Sequence, residues 1–124
     1  MPKKILIVED YEDSREFMKI LLQTYGYSVL EAGDGIEAVE TFKKQAPDLI
    51  LMDIAMPEMD GLTATKIIRK LAVGAEVPII ALTANSNTFY REAIAAGCNE
   101  VIKKPFEEKK LKSLLKFYLS PNFA

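Results

Sequence analysis

Short apolar runs alternate with longer helical patterns along this chain. Ile5-Leu6-Ile7-Val8 is continuous and rich in β-branched residues, which suits a strand buried on both faces of a parallel sheet. From about Tyr11 to Tyr25 the spacing becomes helical, with Phe17, Leu21 and Tyr25 on one face and Met18 and Leu22 beside them. Gly26 is placed to end that helix. Ser28-Val29-Leu30-Glu31 is a second, weaker strand, after which Gly33-Asp34-Gly35 turns the chain into a helix carrying Ala38, Val39 and Phe42. Pro47 marks its end. Leu49-Ile50-Leu51-Met52 is the third strand and runs straight into Asp53. A loop from Met56 through Pro57, Glu58, Met59 and Asp60 to Gly61 leads to a helix holding Leu62, Ile67, Ile68 and Leu71. The fourth strand spans Val77 to Leu82, with Pro78 near its start, where a missing N–H is tolerated. A helix from about Thr88 to Ala96 ends at Gly97, and Val101-Ile102 is a short fifth strand closed by Lys103-Lys104-Pro105. The last helix carries Leu111, Leu114, Leu115, Tyr118 and Leu119 at i, i+3, i+4, i+7 and i+8.

Five βα units in succession predict an α/β fold: a parallel sheet with helices on both faces, joined by right-handed crossovers. The 124 residues are one domain's worth, with a core from about residue 3 to 119 and a tail from 120 to 124. Composition then removes several functions. There is no histidine, which excludes His-ligated metals and His-based triads. Cys98 is the only cysteine, so no intrachain disulfide can form. The net charge of −2 gives no global basic footprint for nucleic acid. The Lys-rich end (Lys103, Lys104, Lys109, Lys110, Lys112, Lys116) is interrupted by Glu107 and Glu108 and suits a solvated helix face. No apolar run approaches the ~20 residues that span a bilayer, and the run after Lys4 is too short for a signal peptide. The expectation is a soluble cytoplasmic protein.

In open parallel sheets the ligand site lies beyond the carboxyl ends of the strands. Here Glu9 and Asp10 follow the first strand, Asp53 the third, Thr83 the fourth and Lys104 the fifth. Three carboxylates converging on one rim repel each other and raise each other's pKa. A hard divalent cation removes that conflict, and magnesium, which binds through one or two carboxylates and keeps several waters, suits it best. Lys104 can meet phosphate oxygens as a point charge and Thr83 can donate to one. Asp is a competent nucleophile in phosphoryl transfer, a reaction driven largely by charge neutralisation. Each residue also has an ordinary role: Asp53 as a turn residue or cap, Asp10 and Thr83 as helix caps, Lys104 as a solvated charge. Only their occurrence at separate strand ends on one edge favours chemistry.

The pieces Ile7-Val8-Glu9-Asp10, Asp53-Ile54-Ala55-Met56-Pro57-Glu58-Met59-Asp60-Gly61, Ala81-Leu82-Thr83-Ala84 and Lys104-Pro105-Phe106 together resemble the receiver domain of two-component response regulators. The resemblance runs from about Lys3 to Leu119. It implies a flavodoxin-like, doubly wound sheet of strand order 2-1-3-4-5. It implies that Asp53 is the phosphoacceptor and that Asp10 and Asp53 bind magnesium directly, or manganese in its place. Glu9 would act through water, and the backbone carbonyl of Ala55 would be a further ligand. Lys104 would contact the phosphoryl group, Thr83 would move towards it, and the Lys104–Pro105 bond is expected to be cis. The donor implied is a phosphohistidine on a sensor histidine kinase or histidine phosphotransfer protein. The output implied is a downstream protein target or effector domain, with no direct nucleic acid or membrane binding by this chain. Such a domain catalyses only its own phosphorylation and dephosphorylation. Met1 and the short tail favour a free-standing regulator. One position departs from the pattern. Many receivers carry Tyr or Phe three residues before the Lys, whereas this chain has Val101, too stiff and small for an aromatic flip. Tyr90 and Phe89 lie on the neighbouring helix.

Three rivals share the topology or the chemistry. A flavin-binding module cradles phosphate after the first strand, where this chain places Glu9, Asp10, Glu12 and Asp13. A magnesium-dependent phosphatase of the D-x-D type needs an acid where Ala55 stands. A docking module that is never phosphorylated has no use for the full set of Glu9, Asp10, Asp53, Thr83 and Lys104.

Overall fold

The apolar runs form the strands and the periodic segments form the helices that cover them. The computed structural model describes residues 2–54, 60–71, 76–84 and 86–120, the side chains of 86–89 excepted. The strands are β1 (Lys4–Val8), β2 (Ser28–Ala32), β3 (Leu49–Asp53), β4 (Ile79–Thr83) and β5 (Glu100–Lys103). Between and after them run α1 (Glu12–Thr24), α2 (Gly35–Gln45), α3 (Gly61–Lys70), α4 (Ser86–Ala96) and α5 (Glu108–Leu119). The sheet is parallel, in the order β2-β1-β3-β4-β5. This is the doubly wound, flavodoxin-like arrangement with helices on both faces.

Successive strand residues point to opposite faces, so each strand feeds two cores. One face gathers Leu6, Val8, Ile50, Met52, Ile79 and Ala81 under Phe42 of α2, Ile68 of α3 and Ala93 of α4. The other gathers Ile5, Ile7, Leu49, Leu51, Ile80 and Leu82 under Met18 and Leu22 of α1 and Leu111 and Leu115 of α5. Every residue of β3 and β4 is buried, which is why those runs are apolar without alternation. Each large aliphatic side chain so buried contributes about 1.5–3 kcal/mol.

The helix ends are set by local chemistry. Asp34 and Asp60 cap α2 and α3 by accepting from the amides of Glu37 (2.8 Å) and Thr63 (2.7 Å). Gly26 and Gly97 follow α1 and α4 with φ of 96° and 119°. After α2, the left-handed position is taken by Ala46, with φ 43°, one residue before the expected stop at Pro47.

Several boundaries differ from the sequence reading. The inner face of α1 is Met18 and Leu22, while Phe17 is 59% exposed. One position rotates a side chain by about 100° around the helix, and α1 sits so that its rotation favours Met18. α4 begins at Ser86, two residues before Thr88. β5 extends from Glu100 to Lys103, because its ladder with β4 continues beyond the apolar pair Val101-Ile102. Asp53 and Thr83 are the last residues of their strands, not the first beyond them.

Candidate functional site

Strand register gathers the polar residues. Val8 pairs with Met52, so Glu9 and Asp53 come next on adjacent strands. Asp53 pairs with Leu82, which places Thr83 one step beyond, and Thr83 pairs with Lys103, which places Lys104 beyond that. The ladder continues past the strand ends: the Glu9 amide donates to the Ala32 carbonyl (3.1 Å) and the Lys104 amide to the Thr83 carbonyl (2.8 Å). Adjacent strands lie ~4.8 Å apart, so side chains at these positions meet over one corner of the sheet.

There, carboxylate oxygens of Glu9, Asp10 and Asp53 all lie within 4.8 Å of one another. Glu9 and Asp53 are buried, whereas Asp10 is exposed. The Lys104 ammonium bridges the first two, 3.1 Å from Glu9 Oε1 and 3.2 Å from Asp53 Oδ2. Burial disfavours the charge on Lys104, but the fields of Asp53 and Glu9 and their hydrogen bonds outweigh it. Its pKa therefore lies above the ordinary 10.5. Thr83 is buried beside them. The Lys104–Pro105 peptide is cis.

The ordinary roles open to these residues are not the ones they occupy. Tyr11, not Asp10, stands at the N-cap of α1, and without a side-chain cap bond. Asp60, not Asp53, caps α3. Thr83 lies inside β4, and Lys104 is half-buried and paired. Ala55, with residues 56–59, lies outside the described residues, as does the side chain of Phe89.

Three carboxylates against one ammonium leave the cluster two positive charges short, the charge of one divalent cation. The donors are hard carboxylate oxygens, with no sulfur or imidazole among them. The set therefore fits magnesium.

Gly61 belongs to the site although sequence reasoning gave it no role. It opens α3 with its amide donating to the Ile54 carbonyl at 3.3 Å. A Cβ at this position would stand 2.6 Å from Ile54 Cα and overlap the Asp53 carbonyl oxygen. Glycine at the first position of a helix, against its propensity, was the available signal. Val101 faces Ala81 across the ladder and packs, half-buried, against the core under α2, α3 and α4. A groove of about 510 Å³ opens beside the site between α1 and the segment after β5, lined in part by Tyr11, Ser14, Phe17, Pro105 and Phe106. Among the described residues no helix is long and apolar enough to cross a membrane.

An open parallel sheet whose strand ends deliver acids, a hydroxyl and a lysine to one corner defines a class of regulatory phosphoacceptor domains. Residues 5–116 match the family described as the response regulator receiver domain, and the chain belongs to that family. It is similar to the polar-differentiation response regulator DivK of Brucella anthropi, 36% identical over 96% of this chain and 98% of that protein. It is also similar to the chemotaxis protein CheY of Bacillus subtilis, 41% identical over 86% of this chain and 89% of that one. Among solved structures, the receiver domain of the sensor histidine kinase PA1611 from Pseudomonas aeruginosa superposes with a TM-score of 0.89 at 38% identity. The match covers 95% of this chain and 98% of that one, and that structure has a magnesium ion coordinated in its active-site cleft.

Proposed function

We propose that this chain, as one receiver unit over residues 1–124, takes a phosphoryl group onto Asp53 and thereby changes a partner-binding surface. The observation that carries the reading is the convergence of Glu9, Asp10 and Asp53 with Lys104 bridging two of them. The donor is a phosphohistidine on a sensor histidine kinase or histidine phosphotransfer protein. A carboxylate oxygen of Asp53 forms the new O–P bond as the donor's N–P bond breaks and its electron pair returns to the imidazole. Glu9, Asp10 and Asp53 hold magnesium, or manganese in its place, with the Ala55 carbonyl as a further ligand. Bound there, the ion supplies charge neutralisation. Lys104 already points at Asp53 and neutralises phosphoryl oxygens. Thr83 donates its hydroxyl to one of them. The chain thus acts on itself alone, and its output passes to a protein target or effector domain in the cytoplasm. Direct nucleic acid binding by this chain finds no support in a net charge of −2.

The test is covalent. Acetyl phosphate with magnesium should add one phosphoryl group, labile to base as an acyl phosphate is, and chelation of the metal should stop it. Uptake by Asp53→Asn at the wild-type rate would contradict the reading.

A further inference from the structure

Glu9 is held at every polar atom. Its amide donates to the Ala32 carbonyl at 3.1 Å, and its carboxylate accepts from Lys104 Nζ at 3.1 Å and from the Tyr11 amide at 3.3 Å. The fourth hold comes from outside the acidic corner. Arg15, one turn into α1, donates from a terminal guanidinium nitrogen to the Glu9 carbonyl at 2.9 Å. Its Nε donates to Glu31 Oε1 at 3.3 Å, and Glu31 is in turn paired with Lys19 at 3.4 Å. One planar fork thus spans the end of β1, the end of β2 and the first turns of α1. It fixes the peptide joining Glu9 to Asp10, on which the directions of both carboxylates depend.

We infer that Arg15 is a positioning residue for the acidic site: its guanidinium, clamped between the Glu9 carbonyl and Glu31, holds the Glu9–Asp10 corner in the geometry that a divalent cation requires. The inference rests on the proposed metal-bearing role of Glu9, Asp10 and Asp53. Arg15 touches neither the ion nor a reacting atom. Lysine in its place keeps the charge but cannot reach both partners with a rigid fork.

The sign of the effect separates positioning from simple electrostatics. Arg15 is a positive charge near a cation site, so by Coulomb's law alone its removal should tighten cation binding. If the clamp is what matters, removal should weaken it. Groups that orient metal ligands typically account for about 10–100-fold in affinity. Arg15 orients through a backbone carbonyl, so the lower end of that range, about tenfold, is expected for Arg15→Met. The experiment titrates manganese(II) into the protein and counts free ion by electron paramagnetic resonance, with melting temperature followed in parallel. Arg15→Met should bind about tenfold more weakly, Arg15→Lys should fall between it and wild type, and Lys19→Met, which removes only the outer partner of Glu31, should bind as wild type does. A purely structural role would lower the melting temperature and leave the affinity of the folded protein unchanged. Unchanged or tighter binding in Arg15→Met overturns the inference. If Arg15→Met does not fold, wild-type affinity in Arg15→Lys overturns it equally. Absence of manganese binding by the wild type would instead overturn the metal reading itself, so the two failures are distinguishable.

Discussion

Tyr118 donates to Glu100 Oε2 at 2.6 Å, fastening α5 to the start of β5. Burial first, and then the hydrogen bond and charge of Glu100, push its phenol up to about 12 from the ordinary 10.0. A raised phenol pKa means that the folded state prefers the neutral form. The stability this bond contributes is complete below pH 10, the unfolded value, and is lost as pH rises towards 12. Tyr25 and Tyr27 are raised as well, by burial, but in a spectrophotometric titration of the five tyrosines Tyr118 should ionise among the last, and Tyr118→Phe should remove part of the late rise. Tyr118→Phe should also cost about 1 kcal/mol in urea unfolding at neutral pH. A titration curve unchanged by the substitution would show that the bond is not held in solution. At this scale the sequence was legible where a side chain does the work. Glu9, Asp10, Asp53, Thr83 and Lys104 each stand within two residues of the end of an apolar run, and their position at strand ends pointed to one rim. Arg15 was not legible, because it acts on the Glu9 carbonyl and a carbonyl acceptor leaves no mark in the sequence, and Gly61 left only the weak signal of a glycine opening a helix.

Among the helices, α2 ends on Ala46 in the left-handed region, φ 43° and ψ 68°, exposed to solvent. The strain there is about 1–2 kcal/mol for a residue with a Cβ, against about 0.5–1 kcal/mol of extra unfolded-state freedom for glycine. Ala46→Gly should therefore stabilise the protein by about 0.5–1 kcal/mol, read as a higher urea midpoint at unchanged slope. A lower midpoint would contradict that balance. Gly61 should behave oppositely. In Gly61→Val the new side chain meets the Asp53 carbonyl and Ile54 Cα, so α3 must retreat from β3 at a cost of about 1–3 kcal/mol. Phosphorylation should slow as well, because the retreat moves the backbone that carries Asp53. A Gly61→Val protein of wild-type stability and rate would show that the close approach is dispensable. Strand existence was plain in the sequence because β3 and β4 are buried throughout. The rotation of α1 was not, because Phe17, Met18, Leu21 and Leu22 offer two overlapping apolar stripes and only packing on β1 and α5 decides between them. The end of α2 was foreseen from Pro47, but nothing in an alanine announces a left-handed cap.

In the molecule as a whole, the proposed route from Asp53 to a partner-binding surface runs through Thr83 at the end of β4 to α4. Phosphorylation at Asp53 would add negative charge and acceptor oxygens there. A swing from 1:99 to 99:1 between two arrangements needs ~5.5 kcal/mol, and one hydroxyl contact to a charged acceptor contributes about 1.5–3 kcal/mol. Lys104 and loop repacking must supply the rest. Val101 buries less area than an aromatic residue in locking an active form, so the shift should be modest. Amide spectra with and without beryllofluoride should change mainly from Thr83 to Ala96. Changes centred on α1 and α2 with that segment silent would contradict this route. Magnesium should also stabilise the intact protein by mass action, about 2.7 kcal/mol at a hundredfold excess over its Kd. Asp10→Ala should lose most of that gain, and an unchanged melting shift would misplace the site. The α/β class and the crowded strand ends were legible at this scale. The bridging of Glu9 and Asp53 by one ammonium was not, since it depends on the register of β1, β3, β4 and β5 together. One particular carboxylate, that of Asp53, is proposed to carry the phosphoryl group. Borohydride reduces an acyl phosphate of aspartate to homoserine, so treatment of the phosphorylated protein followed by peptide mass spectrometry marks the acceptor directly. Homoserine is expected at position 53 and nowhere else; homoserine at position 10 with Asp53 intact would contradict the assignment of Asp53 as acceptor.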